Sequence, residues 1–473
     1  MYNYIVNIMS ESNNMEISQP AKLKLKQLIY PEDVSNNVWR PIHYLGSKLR
    51  VLNVVEQAIN DVSPQGSSVC DLFSGSGTVS SSLARTRPVT AVDIQEYSKV
   101  ICAALLHPVE LPTEEIEKRL KYYLTASRVS GVIEAATALI ELEEAFLERA
   151  RTGDLDGLAS LIDAGPILTS NKVSTNEEIR RAFLDCKKQI NDNLGGDNKS
   201  NMVLRHFGGS YFSFKQAAEL DVILEMASKM PETIKTVMIA AALSTASELV
   251  NTVGKQFAQP IRPRDKDGNV KKSLYSQAAR DRYKSTFDIY FGCLKKFSKT
   301  QTSLFNHKAI KADYYDYLSS SKFNESVVYA DPPYTRDHYS RFYHVLETLA
   351  LRDDPNISTN TAHGKTLPSR GIYRTNRHQS PFCIRSKAPV AFERLFSKVA
   401  ARKVPLVLSY SPYASDKNAH PRVMQIDSLR KIAKQYFNVV DIETIRQFSH
   451  SKLNKIELHK EVSQDAEYLF ICR

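Results

Sequence analysis

Residues 326–330, Ser-Val-Val-Tyr-Ala, form an apolar run with the β-branched and aromatic content of a buried strand, and Asp331-Pro332-Pro333-Tyr334 follows it directly. Neither proline can donate a backbone hydrogen bond, so the sheet ladder has to stop there. Two fixed φ angles then hold the Asp331 carboxylate and the prolyl carbonyl oxygens rigidly at the strand end, with the flat ring of Tyr334 beside them. Acceptors next to a stacking surface make a clamp for a planar group that carries an amino substituent, such as a nucleobase. Taken alone, the tetrapeptide reads equally well as a strand followed by a tight proline turn. The rest of the chain has to decide between the two.

With 473 residues the chain has room for two to three domains of about 150 residues each. Its 42% hydrophobic and 24% charged residues are ordinary for a globular protein with large cores. A net charge of +11 suits a polyanionic partner without requiring one. The six cysteines (Cys70, Cys102, Cys186, Cys293, Cys383, Cys472) are isolated, with no CxxC pair, so reduced thiols are expected and neither a zinc site nor a disulfide framework is. No basic segment followed by an apolar core opens the chain, and the most apolar helical run, residues 237–250, contains Glu248, as a buried core helix can. These features describe a soluble cytoplasmic protein with no bound metal and no membrane partner.

Residues 1–38 are polar and rich in Asn and Ser at their start, and are expected to form a partly ordered arm; Met9 and Met15 are further candidate starts. His43-Tyr44-Leu45-Gly46-Ser47-Lys48 then leads into an amphipathic helix through Leu52, Val55 and Ile59. A glycine turn opening a helix offers free N–H groups, and Lys48 adds a cation, so a carboxylate has a place there. A plain Gly-Ser turn with a solvated lysine is the simpler account of this segment alone. Val69-Cys70-Asp71-Leu72-Phe73 reads as a buried strand, followed by Ser74-Gly75-Ser76-Gly77-Thr78 and a helix. Strand, glycine loop and helix bring backbone close to a cofactor. The loop lacks the Gly-Lys-Ser/Thr of a P-loop, and Ser80 stands where a dinucleotide fingerprint has its third glycine. A second strand, Thr90-Ala91-Val92-Asp93-Ile94, carries an acid at its tip, well placed to accept from two ribose hydroxyls.

From residue 110 to about 305 the strand signal largely disappears. Residues 111–150 have helical spacing, residues 153–165 and 191–198 read as loops, and Ser213 with Gln216 fits a capping box opening a helix. Residues 259–284 carry Arg262, Arg264, Lys266, Lys271, Lys272, Arg280, Arg282 and Lys284 around a Pro/Asp/Gly turn. Such a loop can enter a nucleic-acid groove or lie solvated. Between Asp354 and Glu393 there is no acid, while Lys365, Arg370, Arg374, Arg377, Arg385 and Lys387 occur, as in flexible stretches that bind polyanions. Residues 404–410, 437–445 and 467–472 read as three further strands. With those ending at Asp71, Asp93, about Asp313 and Asp331, they make seven.

At these residues the chain resembles the S-adenosylmethionine-dependent amino-methyltransferases of DNA. Phe73-Ser74-Gly75-Ser76-Gly77 is similar to the family's F-x-G-x-G loop, and Asp331-Pro332-Pro333-Tyr334 to the D-P-P-Y motif of adenine-N6 enzymes. The order of lysine segment, glycine loop, long insertion and catalytic motif resembles the α-class, Dam-like group. That group's first segment usually reads K-W-A-G-G-K; here Gly46 and Lys48 carry over, while the leading lysine and second glycine do not. Asp71 stands where the family has an acid before its Phe, and Asp313-Tyr314 resembles its Asp-Phe pair beside the cofactor adenine.

The resemblance implies an α/β fold, a seven-stranded Rossmann-like methyltransferase sheet whose last strand inserts antiparallel, with a large and mostly helical insertion as target-recognition domain. The catalytic domain would comprise residues 39–109 and 306–473, and the insertion residues 110–305. It implies S-adenosylmethionine held by Tyr44, Gly46, Lys48, Asp71, Phe73, Gly75, Gly77, Asp93, Asp313 and Tyr314, and catalysis by Asp331, Pro332, Pro333 and Tyr334. It also implies double-stranded DNA met by Arg262, Arg264, Lys271, Lys272, Arg374 and Arg377, with a companion restriction endonuclease as a further partner. The expected activity is methylation of adenine N6 on a flipped base. N4-cytosine methylation, whose enzymes usually carry Ser in place of Asp331, and methylation of an RNA base amino group are the alternatives.

Overall fold

The computed structural model describes residues 38–125, 130–170, 176–194, 198–298, 304–335, 339–362, 365–411, 422–446 and 465–473. Residues 1–37 of the expected N-terminal arm therefore lie outside the described residues, as do residues 195–197 of the second expected loop, whereas Val38 is buried. Among the described residues no helix is long and apolar enough to cross a membrane.

Nine strands are described: β1 (Val69–Leu72), β2 (Val89–Asp93), β3 (Lys308–Lys311), β4 (Val327–Ala330), β5 (Thr359–Ala362), β6 (Lys365–Pro368), β7 (Leu406–Tyr410), β8 (Val440–Arg446) and β9 (Asp465–Cys472). Seven of them form one sheet in the order β3-β2-β1-β4-β7-β9-β8. Pairings from β3 through β7 are parallel, and β9 is antiparallel to both β7 and β8. β1, β4 and β7 are buried along their whole length, which is why they read as continuous apolar runs rather than alternating ones.

Successive residues of these strands point to opposite faces, and each face has its own core. Cys70, Leu72, Val328, Ala330, Leu406 and Leu408 pack under helices α13 (Tyr314–Ser319), α16 (Ala388–Ala401) and α17 (Ile426–Ala433). Val69, Ala91, Val327, Tyr329, Val407 and Leu469 pack under α1 (Leu52–Val62) and α2 (Thr78–Leu83), with Cys102 and Leu106 of α3 (Glu96–Leu106). The result is a three-layer α/β arrangement, a seven-stranded and mostly parallel sheet between helices.

Between β2 and β3 the chain is helical: α4 (Thr113–Thr125), α5 (Ser130–Arg151), α6 (Asp156–Ala164), α7 (Glu177–Leu194), α8 (Met202–Phe207), α9 (Phe214–Ser228), α10 (Glu232–Leu249), α11 (Leu274–Arg282) and α12 (Thr286–Ser298). Their core continues from Tyr97, Ile101, Ala104 and Leu105 on the far side of α3, so these helices share apolar surface with the sheet layer. α10 is buried almost all round from Val237 to Leu249, as its uninterrupted apolar sequence requires. The capping box at Ser213 and Gln216 is formed in both directions, and the adjacent aromatics Tyr211, Phe212 and Phe214 are core residues. Two short helices, α14 (Tyr339–Phe342) and α15 (His344–Leu351), follow β4.

Two expectations are corrected. The segment 153–165 is not a loop, because α6 occupies most of it. Its glycines disguised a face of Leu158, Ala159, Leu161 and Ile162, all of which are buried. Gly157 is there for close approach, since a Cβ would meet the Phe146 ring at 2.7 Å. The acid-free stretch 354–393 is folded where it is described: β5 and β6 pair as a hairpin, and Phe382 and Cys383 are buried.

One buried ion pair ties the helical segment together. Arg282 at the end of α11 meets Glu143 of α5, and also donates to the carbonyl of Gly209 (3.0 Å) and to Asn251 Oδ1 (3.2 Å). The second Glu143 oxygen accepts from the Phe214 N–H at 2.7 Å. Burial raises the Glu143 pKa even with Arg282 beside it. Truncating one partner leaves the other charge buried and unpaired. Arg282→Ala is therefore expected to cost about 3–5 kcal/mol in urea denaturation, whereas Arg119→Ala on the exposed face of α4 should leave the midpoint nearly unchanged.

Candidate active site

In the sheet register Leu72 stands opposite both Val92 and Ala330, and Asp93 opposite Lys311. The carboxyl ends of β1, β2, β3 and β4 therefore lie level, and the segments leaving them share one edge. β2 and β3 lie to one side of β1, β4 and β7 to the other, so β1 and β4 flank the point where strand order reverses. In α/β sheets this is where ligands bind. A cleft of about 940 Å³ opens there. Tyr44, Gly46 and Lys48 line it from before α1, Phe73 from the end of β1, and Asp93 from the tip of β2. Asp313, Tyr314 and all of Asp331-Pro332-Pro333-Tyr334 complete the set, so most of the site residues expected from the sequence meet in one place.

The glycine loop is shaped by close contacts. Phe73 itself has φ +63°, a strained value for a bulky side chain that costs roughly 1–2 kcal/mol. In that conformation its ring packs against Tyr314 and Phe382, at centroid distances of 5.4 and 5.3 Å. The three rings make an aromatic wall of the cleft. Gly75 has φ +53°, and a Cβ there would meet the Tyr44 ring at 2.6 Å. Its N–H donates to Asp93 Oδ2 (3.0 Å), while the Gln95 N–H donates to Oδ1 (2.9 Å), fixing the acid at the strand tip. Burial raises the Asp93 pKa, against the pull of these hydrogen bonds. Gly75, Gly77 and Asp71 do not line the cleft. Gly77 lets α2 start tight against Leu105. Asp71 lies beneath the loop, accepting from Ser80 Oγ at 2.5 Å, and burial pushes its pKa up to about 7.

The proline turn leaves β4 with the Asp331 N–H on the Leu72 carbonyl (3.3 Å), which registers the motif against β1. Lys48 reaches it from the far side. The Lys48 ammonium lies 2.8 Å from Asp331 Oδ2, donates to Tyr334 Oη (3.1 Å) and to the Gly46 carbonyl (3.2 Å), and has Glu467 at 3.7 Å. Burial, the largest influence, pulls the Lys48 pKa down, but Asp331 and then Glu467 outweigh it and the net shift is upward. The carboxylate that the Gly46–Lys48 turn attracts is thus the protein's own Asp331. Asp313 caps α13 by accepting from the Tyr315 N–H (2.8 Å), which aims Tyr314 inward.

Sequence reasoning missed Phe382, Tyr339 and His378, which also line the cleft, and Glu467 behind it. Phe382 and His378 come from the acid-free stretch, where charge rather than periodicity dominated the signal. Among the basic residues, Arg262 and Lys272 are exposed and Lys271 is half-buried. Arg264 is paired with Asp163 at 2.8 Å. Arg374 is buried in a two-pronged pair with Asp353 (2.6 and 3.1 Å), and Arg377 stacks on Tyr373 at 5.0 Å. Arg280, Lys255 and Lys284 converge on the buried Asp281.

The chain matches the family described as D12 class N6 adenine-specific DNA methyltransferases, over residues 44–156 and 270–373. It is similar to the modification methylase LlaI of Lactococcus lactis subsp. lactis, 31% identical over 120 residues, which are 25% of this chain and 16% of that protein. It is also similar to the type II methyltransferase M.FokI of Planomicrobium okeanokoites, 35% identical over 85 residues, 18% of this chain and 11% of that one. The aligned parts thus span less than a fifth of either relative's length. Matched segments carry the Gly46–Lys48 turn, Phe73 and the glycine loop after it, Asp93 and the Asp331–Tyr334 motif, and all but the loop glycines line the cleft. Family match, sheet order and motif placement thus agree in likening the chain to the D12 class of N6 adenine-specific DNA methyltransferases.

Proposed function

We propose that the protein transfers a methyl group to the N6 amino group of an adenine in double-stranded DNA. The observation that carries this reading is the position of Asp331-Pro332-Pro333-Tyr334 at the strand-order reversal, with Lys48 on the Asp331 carboxylate and an open cleft in front. S-adenosylmethionine fits the residues present and would supply an electrophilic methyl group on a sulfonium. The wall of Phe73, Tyr314 and Phe382 offers a face for its adenine. Asp93, whose oxygens each accept only one backbone N–H among the bonds described above, has lone pairs left for ribose hydroxyls. Asp313 stands at the same rim.

An adenine stacked inside a duplex cannot reach this cleft, so the base would have to be flipped out. Tyr334 would stack on it, a contact worth about 1–3 kcal/mol. Asp331 and the Pro332 carbonyl would accept from the two N6 hydrogens, aiming the nitrogen lone pair into the cleft and stabilising the positive charge that develops on it. Lys48, 2.8 Å from one carboxylate oxygen, holds Asp331 in place for that purpose. In a two-domain reading, residues 39–109 and 306–473 perform the chemistry, and the helices of 110–305 recognise the target. Residues 157–269, which the family match leaves out, lie inside this helical segment, where recognition would be free to vary. Arg262 and Lys272 are its best-placed phosphate contacts, since Arg264 and Arg374 are committed to Asp163 and Asp353. The likeness to a modification methylase and a type II methyltransferase supports a role in restriction-modification, with a companion endonuclease as partner.

Asp331→Ala is expected to abolish N6-methyladenine formation, measured with a labelled methyl donor, while cofactor affinity by calorimetry changes by less than about threefold. Full activity in that variant would refute the clamp. Arg262→Gln combined with Lys272→Gln should lower the slope of log affinity against log salt by about two, with little change in sequence preference. An unchanged slope would move the phosphate contacts elsewhere.

A further inference from the structure

Glu467 is a fully buried carboxylate on β9, a strand that otherwise presents Leu469 and Ile471 to the same core. Its near cation is Lys48, 3.7 Å away, and Lys48 is 2.8 Å from Asp331. Two carboxylates therefore share one ammonium, across three separate elements. Burying a second carboxylate is costly, and structural needs alone do not call for it, because Lys48 already has Asp331, Tyr334 Oη and the Gly46 carbonyl as partners.

The reaction supplies a reason. The Lys48 ammonium, 2.8 Å behind the Asp331 carboxylate, offsets part of its potential at the target nitrogen, where positive charge develops. We propose that Glu467 is a positioning residue that acts through Lys48: it offsets part of the ammonium charge and so strengthens the negative potential that Asp331 presents to the methyl-accepting nitrogen. This rests on the clamp reading given above. Asp71 on β1, Tyr329 on β4, and Tyr44 and Tyr339 across the cleft also face Asp331 electrostatically. Asp71 is held by Ser80, and Tyr329 shares a hydrogen bond with Ser409 while also facing Lys48 electrostatically. Burial also keeps the tyrosine hydroxyls protonated, their pKa values all being raised.

The test sets charge against shape. Glu467→Gln keeps the length and removes the charge; Glu467→Asp keeps the charge and shortens the side chain. Single-turnover methyl transfer in Glu467→Gln should fall roughly ten- to a hundredfold, with DNA and cofactor dissociation constants changed by less than about twofold. Glu467→Asp should be the faster of the two. A packing role predicts the reverse order. The inference is overturned by Gln at wild-type rate, by Asp slower than Gln, or by loss of folding in the Gln variant while the Asp variant folds. Asp331→Asn runs alongside: if it too is fully active, the clamp reading fails, whereas an inactive Asp331→Asn beside a fully active Glu467→Gln refutes only the role of Glu467.

Discussion

The contact between Lys48 and Asp331 holds the site together. It spans 283 positions in sequence and joins the turn before α1 to the end of β4, so the cleft exists only when the whole sheet is assembled around it. An ammonium that is 3% exposed has a large desolvation cost, offset here by two carboxylates and two oxygen acceptors. In return the Asp331 carboxylate is fixed in direction. A rigid proline turn with a freely rotating acid at its head would orient nothing.

Around that pair the sheet provides levels rather than chemistry. Because β1, β2, β3 and β4 end in register, four chain segments of different origin open onto one cleft: the aromatic Phe73, the acid Asp93, the Asp313–Tyr314 pair and the clamp. The same edge carries backbone strain, with φ +63° at Phe73. The conformation is retained because it sets that ring against Tyr314 and Phe382.

Much of this could be read from the sequence, for identifiable reasons. Three of the sheet strands end in distinctive chemistry, a glycine loop after Leu72, a proline pair after Ala330 and an acid at Asp93, so their ends and the site residues were legible together. The antiparallel insertion of the last strand followed from the family resemblance and is present as β9 between β7 and β8. What could not be read was partnership. Nothing local marks Arg374 as buried on Asp353, or Arg282 as the anchor of Glu143, rather than as phosphate contacts, because their partners come from other elements. The same holds for Glu467, whose sequence surroundings are those of any strand. Helix α6 was hidden by its glycines, and the hairpin of β5 and β6 by a run of one-signed charge.

The central claim is that this clamp presents an exocyclic amino group of a DNA base, that of adenine, to a methyl donor. It is tested most directly by sequencing that detects modified bases in DNA from cells producing the intact chain, against cells producing none. The account predicts N6-methyladenine at one short recurring sequence and at no other. N4-methylcytosine in its place, or DNA without added methyl groups from cells that contain the folded protein, would contradict it.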